Sequence, residues 1–381
     1  MAFIWEAVMS LESYVTGLMK NPSPSGLDRL ALSGLEKLEK VYLSGVEKKR
    51  NAALSKQVSV EVPVISVGNI TAGGTGKTPC ILLLAEALQK RGRKPAVISR
   101  GYRSGLEKEG GVVSDGKNIL VSQAMAGDEP YMMARKLPGV PILVGKDRIT
   151  SAQKAMNMGA DVLLMDDGFQ YWQLKRDLDI ILIDCTNPFG YDHALPRGLL
   201  REPLSALQRA GLFILTKSDQ VHAVDVMDIK EKLHELAPGV DILTSCHAPS
   251  KVVLYDKWKQ SIHEGPLQEA AMKKALLLSG IGNPGAFAET AKEAGLRMVG
   301  QMAFDDHHHY TEEDVRNAIS EAKAKGAEWI VMTEKDAVKM LNLTSLAKSD
   351  IPFAVLEIEM TVHGDEEKLF RLIQKKIGIR D

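Results

Sequence analysis

The chain has 381 residues, about two and a half times the roughly 150 residues of an average domain, so one large or two moderate domains are expected. Apolar residues make up 45% and charged residues 25%, which is typical of a globular protein and excludes a disordered one. A formal net charge of -1 excludes a general nucleic-acid binder. The three cysteines, Cys80, Cys185 and Cys246, form no CxxC motif, so we expect reduced thiols in a cytosolic protein.

The first twenty residues predict an amphipathic helix with few charges, because apolar residues recur there at helical spacing. A second helical pattern runs from 27 to 46, ahead of a basic cluster at 48–50. No apolar run is long enough to span a bilayer, and the N-terminus lacks the pattern of a signal peptide. Composition leaves two roles open for these helices, which are capping the core and binding a membrane surface.

From residue 62 onward, short β-branched runs alternate with helical segments. This alternation predicts an α/β protein with a mainly parallel sheet covered by helices on both faces. The predicted strands are 62–67, 96–99, 141–144, 161–165, 180–183 and 213–216, then 275–279, 329–333 and 353–356. We divide the chain into N-terminal helices (1–55), a core (56–220), a connecting region (221–270) and a smaller C-terminal α/β domain (271–381).

A glycine-rich segment follows the first predicted strand and precedes a predicted helix. Its end fits the P-loop template GxxxxGK[ST], in which backbone N–H groups surround phosphate oxygens, the lysine reaches the outer phosphates and the hydroxyl binds magnesium. Thr71 occupies the first glycine position of that template, and neighbouring glycines supply backbone freedom. The segment predicts ATP or GTP binding with Mg²⁺, against the alternative of a chance glycine-rich turn. The predicted phosphate-binding residues are Gly73, Gly74, Thr75, Gly76, Lys77 and Thr78.

Carboxylates that could serve phosphate chemistry occur at two places. Asp166 and Asp167 directly follow a buried strand, which is where a metal-binding acid of a P-loop protein lies, although a solvated turn would also explain them. Asp128 begins a predicted helix beside Glu129, and spacing alone does not separate a catalytic role from helix capping. His307 lies in a run of three histidines after two aspartates, which suits either acid–base chemistry or a surface loop.

Two further motifs suggest alternatives. Residues 280–285 match GxGxxG after a strand, which favours either a dinucleotide site or a tight turn. Residues 216–219, TKSD, approximate the NKxD element that binds guanine in GTPases. A P-loop GTPase switch or metallochaperone is therefore the second hypothesis, and an NAD-dependent enzyme is the third.

Taken together, these motifs give the chain a resemblance to the tetraacyldisaccharide 4'-kinase family over nearly its whole length. The chain departs from the family pattern at Tyr171, where histidine is usual, and at Arg103, where glycine is usual. The matching segments are GNITAGGTGKTP (68–79), SRGY (99–102), GDEP (127–130), DDGFQ (166–170), LPRGLLREPL (195–204), TKSD (216–219), GIGNP (280–284) and FDDH (304–307).

The resemblance implies a P-loop NTPase-like fold and transfer of the γ-phosphoryl group of ATP to the 4'-hydroxyl of a lipid-linked disaccharide in lipid A biosynthesis. It also implies a peripheral protein on the cytoplasmic face of the bacterial inner membrane, docked through the N-terminal helix, with no nucleic acid and no obligate protein partner. The implied roles are phosphate binding by Lys77, magnesium binding by Thr78, Asp166, Asp167 and Glu202, proton transfer by Asp128 with His307, and substrate binding by Arg100 and Arg148.

Overall fold

The computed structural model describes residues 14–21, 24–265, 267–306, 308–363 and 366–378. None of the helices within these ranges combines the length and apolar character needed to cross a bilayer. Residues 14–20 are helical. The predicted N-terminal docking helix, residues 1–20, falls mostly on positions 1–13, which lie outside the described residues.

Helices and strands alternate along most of the described chain. The helices are α1 (Gly26–Leu54), α2 (Lys77–Lys90), α3 (Gln123–Ala126), α4 (Asp128–Lys136), α5 (Arg148–Asn157), α6 (Ala223–Leu236), α7 (Tyr255–Lys259), α8 (Leu267–Ala270), α9 (Pro284–Glu293), α10 (Glu312–Ala324), α11 (Glu334–Lys339) and α12 (Glu366–Ile377). The strands are β1 (Val64–Asn69), β2 (Pro95–Ser99), β3 (Gly111–Asp115), β4 (Pro141–Val144), β5 (Val162–Asp166), β6 (Leu178–Asp184), β7 (Leu212–Thr216), β8 (Asp241–Leu254), β9 (Lys274–Ser279), β10 (Arg297–Ala303), β11 (Trp329–Thr333) and β12 (Phe353–Val362).

The chain forms two compact units, each assembled from separate stretches of sequence. The first unit takes the described residues of 14–77, 167–245 and 367–378, and the second takes those of 78–166 and 246–366. The boundary thus passes between Lys77 and Thr78 and between Asp166 and Asp167. The four-part division at 55, 220 and 270 stays a prediction. The region predicted to connect the domains contains α6 and β8.

Four parallel strands in the order β8-β7-β6-β1 form the sheet of the first unit. Strands β1 and β7 are buried along their whole length, as expected for the continuous apolar runs of a covered parallel sheet. The core beside them includes Phe169, Ile181 and Phe213. Because the strands are parallel, the loops that follow β1, β6 and β7 emerge at the same edge.

Helix α1 packs against the rest of the first unit through Tyr42 and Leu43, which contact its apolar core, and through polar contacts. Ser25 and Asp28 form a capping box that satisfies free N–H groups of its first turn. The buried Glu39 carboxylate accepts the backbone N–H of Ala194 at 2.6 Å, and the Tyr42 hydroxyl donates to the Arg201 carbonyl at 3.1 Å. These contacts fix which side of α1 faces the protein.

The second unit contains two groups of neighbouring strands. In the order β5-β2-β4-β3, the first three strands are parallel and β3 is antiparallel at the edge. In the order β10-β9-β11-β12, all the strands are parallel. Helix α10 packs with β9 and β11 over a core that includes Leu276, Val315 and Ile330. The predicted class, α/β with a mainly parallel sheet flanked by helices, is confirmed.

Candidate functional site

The glycine-rich loop runs from the end of β1 to the first residue of α2. Gly73 and Gly76 have φ values of 117° and 88°, which side chains with a Cβ adopt only under strain. A Cβ added at Gly73 or Gly74 would meet no other atom within 4 Å, so the space beside these two residues is open. The loop therefore combines the glycine-dependent backbone and the open space that a phosphate requires.

Thr71, at the first glycine position of the template, takes part in backbone pairing instead of a tight turn. It forms a β-bridge with Leu200, and the Asn69 side-chain amide donates to its carbonyl at 2.6 Å. The next N–H, of Ala72, donates to the Leu199 carbonyl at 2.7 Å. Since this part of the loop needs no positive φ, threonine is compatible with the conformation.

Lys77 lies within reach of a carboxylate that follows β5. Its Nζ is 3.3 Å from the Asn69 Oδ1 and 3.4 Å from an oxygen of Asp167. Arg201 donates to both Asp167 oxygens at 2.9 and 3.0 Å. Burial raises the pKa of Asp167, but attraction to Lys77 and Arg201 outweighs burial, so its pKa lies below the ordinary value. The first unit thus holds an ionised carboxylate between two cations beside the phosphate loop.

Glu202, predicted to help bind metal, is engaged in a separate network. Arg209 donates to both Glu202 oxygens at 2.9 Å, and the Gln170 amide donates to one of them at 3.1 Å. The same amide nitrogen donates to the Asn69 carbonyl at 3.0 Å. This network ties the REP and DDGFQ segments to the end of β1, and the metal-binding role of Glu202 stays a prediction.

The second unit contains the other residues that were predicted to bind phosphate or magnesium. Thr78 is buried in the first turn of α2, and the Asp166 Oδ2 at the end of β5 accepts the Ser99 hydroxyl at 2.9 Å. Arg100 donates through Nε to the Glu107 carboxylate at 2.6 Å, and Arg148 is buried at the start of α5. Within this unit, Ser99 and Asp166 are brought together by the pairing of β2 with β5.

Asp128 is the first residue of α4 and follows Gly127, whose φ is 87°. Its carboxylate accepts a hydrogen bond from the Gln123 side-chain amide. His307, its predicted partner, lies outside the described residues. The next histidine, His308, stacks on Phe304 at 4.3 Å between ring centroids.

The GIGNPG turn connects β9 to α9, and its backbone has a protein partner. The buried Asp336 carboxylate accepts the Gly280 N–H at 3.0 Å, so a carboxylate stands where a dinucleotide pyrophosphate would need that group. Asn283 caps α9 by accepting the Ala286 N–H. Strand β10, which was not among the predicted strands, follows this helix and pairs with β9. The turn is a strand-to-helix connection.

A magnesium site of the expected kind needs few protein ligands. Among the described residues, no group of three or more His, Cys, Asp or Glu side chains is arranged to hold a metal ion. Mg²⁺ usually keeps several waters and binds one or two carboxylates together with substrate phosphates, so a threonine hydroxyl and a single acid beside a phosphate loop fit this pattern. The donor set is suited to magnesium bound with a nucleotide.

Sequence analysis missed several residues of this site. Arg201, Gln170 and Asn69 belong to quoted motifs, yet their roles depend on contacts between segments distant in the chain. A buried strand followed by a polar residue was the signal available for Asn69. No sequence feature near Arg201 indicates that this residue is the second cation beside Asp167.

The loop, its lysine and the parallel strands that carry them define a P-loop nucleotide-binding protein. The chain belongs to the tetraacyldisaccharide-1-P 4'-kinase family, whose sequence model matches residues 31–378. The resemblance stated from the motifs is confirmed, and it takes the place of the GTPase and NAD-dependent hypotheses.

Relatives align over nearly the whole chain. A tetraacyldisaccharide 4'-kinase of Halothermothrix orenii is 40% identical over 366 residues, covering 93% of this chain and 95% of that protein. One of Syntrophus aciditrophicus is 40% identical over 316 residues, covering 81% and 83%. The crystal structure of Aquifex aeolicus LpxK in complex with ATP matches with a TM-score of 0.70 and 28% identity, covering 91% of this chain and 99% of that one.

Proposed function

We propose that the chain transfers the γ-phosphoryl group of ATP to the 4'-hydroxyl of a tetraacyldisaccharide 1-phosphate, a step of lipid A biosynthesis. As a member of its family, the chain is a kinase that uses ATP with Mg²⁺ and acts on a lipid-linked disaccharide. The observation that carries the proposal is the open space beside Gly73 and Gly74 in the phosphate loop. Lys77 follows this loop and forms an ion pair with the ionised Asp167.

The donor side of the reaction is assigned to the loop and the two acids after β5. Backbone N–H groups of Gly73–Thr78 surround the phosphates, and Lys77 neutralises charge that develops on the transferred group. The Thr78 hydroxyl and Asp166 would hold magnesium, which would supply further charge neutralisation. Asp167 orients Lys77, with which it forms an ion pair at 3.4 Å. Glu202 supports this side through its hydrogen bond with Gln170.

A second set of residues is assigned to the acceptor. Asp128 accepts the proton of the attacking sugar hydroxyl as the new bond forms, and His307 adjusts the proton affinity of that carboxylate. The Gln123 amide, which donates to Asp128, fixes the carboxylate orientation. Arg100 and Arg148 bind anionic groups of the substrates, as planar guanidinium groups suit phosphate oxygens. Positioning and charge neutralisation supply most of the rate.

The test is transfer of label from [γ-³²P]ATP to a tetraacyldisaccharide 1-phosphate in the presence of magnesium. We expect label in the lipid with the wild-type chain and a loss of about a hundredfold or more for Lys77→Met. Lys232→Met is the matched control, because Lys232 forms an exposed ion pair with Asp192 in the same unit. Absence of labelled lipid with well-folded wild-type protein would refute the proposed activity.

We further propose that the chain works as a peripheral protein on the cytoplasmic face of the bacterial inner membrane. Helix α1 carries a stripe of exposed apolar side chains at helical spacing, Leu27 (80% exposed), Leu30 (73%), Leu38 (55%) and Val41 (70%). Its packed face instead carries Glu39, Tyr42 and Leu43. A stripe of exposed leucines beside a basic helix end suits the lipid–water interface, where the acceptor's acyl chains lie.

Vesicle sedimentation tests this surface in the intact chain. Replacing Leu27, Leu38 and Val41 together by serine should release most of the protein from vesicles of anionic phospholipid and weaken activity on long-chain acceptor. Val224→Ser with Met227→Ser is the control, because these side chains are also highly exposed but lie on α6. If the α1 variant sediments like the control, the stripe has no part in membrane binding.

A further inference from the structure

Lys217 reaches from the end of β7 to the phosphate loop. Its Nζ donates to the Gly74 carbonyl at 3.4 Å and forms an ion pair with the Asp184 carboxylate at the end of β6. Both side chains are largely buried. Because β6 lies between β7 and β1, the lysine crosses the end of one strand to reach the loop. The span of two strands is roughly 10 Å.

The partners of Lys217 are themselves fixed. The other oxygen of Asp184 accepts the Thr186 N–H at 3.0 Å and the Thr186 hydroxyl at 2.7 Å. The buried Thr216 hydroxyl, one residue before Lys217, donates to the Thr75 carbonyl at 3.2 Å. The last residue of β7 and the residue after it therefore hold two consecutive carbonyls of the phosphate loop.

The backbone of Lys217 is also constrained, since its φ of 55° lies in the left-handed region that favours glycine. Residues with a Cβ keep this conformation where the surrounding contacts impose it, and such residues cluster at functional sites. Here the conformation coincides with a side chain that contacts both Asp184 and Gly74.

A loop that binds phosphate through N–H groups must direct its carbonyl oxygens elsewhere, since carbonyl oxygens repel the anion. In the described structure, the carbonyls of Gly74 and Thr75 are directed to Lys217 and Thr216. We propose that Lys217, held by Asp184, is a positioning residue that sets the phosphate loop in its binding conformation before the nucleotide arrives. The proposal rests on the proposed function only in assigning this loop to the phosphates of ATP.

This role differs from base recognition, the function that NKxD elements perform in GTPases. The Lys217 ammonium and the Thr216 hydroxyl donate hydrogen bonds to carbonyl oxygens of the phosphate loop. A residue that shapes the phosphate loop affects ligands with a phosphate chain equally, whether or not they carry a base. Inorganic tripolyphosphate, which has the phosphate chain of ATP and no base, therefore separates the two roles.

The experiment measures binding of magnesium ATP and magnesium tripolyphosphate to the full chain by calorimetry, with steady-state kinetics in parallel. The variants are Lys217→Met, which keeps length but removes charge, Lys217→Arg, which keeps charge, and Asp184→Asn, which weakens the anchor. Lys232→Met is again the control, since its exposed ion pair with Asp192 lies in the same unit.

We expect Lys217→Met to weaken binding of both ligands about tenfold and to raise KM for ATP more than it lowers kcat. Lys217→Arg should bind both ligands with affinities within about threefold of wild type. The affinities of Asp184→Asn should lie between those of Lys217→Arg and Lys217→Met. If Lys217→Met does not fold, the affinities of Asp184→Asn and Lys217→Arg for the two ligands decide whether the proposal holds. Wild-type affinity in Lys217→Met, or in Asp184→Asn where only that variant folds, overturns the proposal. Weakened binding of ATP alone also overturns it. Because tripolyphosphate binding needs no acceptor lipid, the result stands even if the wild-type chain phosphorylates no lipid.

Discussion

At the scale of single residues, the best-defined feature is the placing of one carboxylate between two cations. Asp167 lies 3.4 Å from the Lys77 ammonium and 2.9 Å from Arg201. Its lowered pKa means that the carboxylate stays ionised throughout the working pH range, below as well as above neutrality. Lys77 is thus oriented before a phosphate arrives, and Asp167 does not supply a titration step near neutral pH.

Replacing Asp128 should affect transfer and not nucleotide affinity, because its proposed role is in proton transfer and not in nucleotide binding. Asp128→Asn keeps the shape of the side chain but removes its basicity, so transfer should fall by about 10²–10⁴-fold. The affinity for magnesium ATP should remain within about threefold of wild type. Single-turnover transfer and calorimetry on the same preparation check both parts.

Glu129→Gln is the control for Asp128, since it changes an acid one residue further along the first turn of α4. Its transfer rate should remain close to that of the wild type. Near-normal transfer by Asp128→Asn would show that this carboxylate is not the base. A parallel loss of ATP affinity would likewise contradict its assignment as a base.

At the scale of elements, the start of α10 is anchored by one carboxylate. Glu312 accepts the N–H and hydroxyl of Thr344 at 2.7 and 3.0 Å, and the N–H of Ser345 at 3.0 Å. Hydrogen bonds from the Ser345 hydroxyl and the Thr344 backbone lower the pKa of Glu312 to about 2. The anchored segment, 344–345, is thereby tied to the first turn of the helix.

This anchor predicts a pH-dependent stability. Because the folded pKa of Glu312 lies below its unfolded value, its contribution is present above about pH 4.5 and disappears as the pH falls toward 2. Glu312→Gln should therefore lower the midpoint of urea unfolding at pH 7, and the difference from wild type should narrow between pH 5 and about 3. Glu313→Gln, an exposed acid in the same turn, should show little change at any pH. A Glu312→Gln difference that is constant with pH would contradict the assignment.

The elements that could be predicted from sequence are those with a continuous apolar signal. Strands β4 and β11 begin and end where the pattern places them, at 141–144 and 329–333. Strands β8 and β10 were missed because they are only partly buried, so their sequences show neither a buried run nor a clean alternation. Helix α1 continues to Leu54, beyond the predicted end at 46, because the polar residues 47–51 interrupt the apolar pattern before the helix ends.

The residues of the candidate site also differ in whether the sequence alone predicts them. Glycines, the lysine and the hydroxyl of the phosphate loop are specified by local backbone chemistry, and a short motif reveals them. Arg201 at Asp167 and Lys217 at Gly74 depend on side chains that meet only after distant strands pair. A single sequence carries no signal for such pairs, since each residue alone is an ordinary basic side chain.

At the scale of the whole molecule, a net charge of -1 limits how the protein can associate with a membrane. Long-range attraction to anionic lipid is weak for a nearly neutral protein, so the proposed membrane binding would have to come from local features. The apolar stripe of α1 and the basic residues 48–50 at its end are such features. Membrane binding by this surface should therefore depend more on buried apolar area than on salt concentration.

Nucleotide binding should stabilise the whole chain through mass action, since only the folded loop binds ATP. At a free ligand concentration of 100 times Kd, the gain is about 2.7 kcal/mol. For a chain of 381 residues, with an unfolding entropy of about 2.1 cal/mol/K per residue, this corresponds to a rise in Tm of about 3 °C.

Lys77→Met, measured by scanning calorimetry at the same magnesium ATP concentration, should show a rise in Tm below about 1 °C, because removing the lysine charge weakens binding of the phosphates. Lys232→Met should rise as the wild type does. An equal rise in Lys77→Met would place the ATP phosphates away from this lysine.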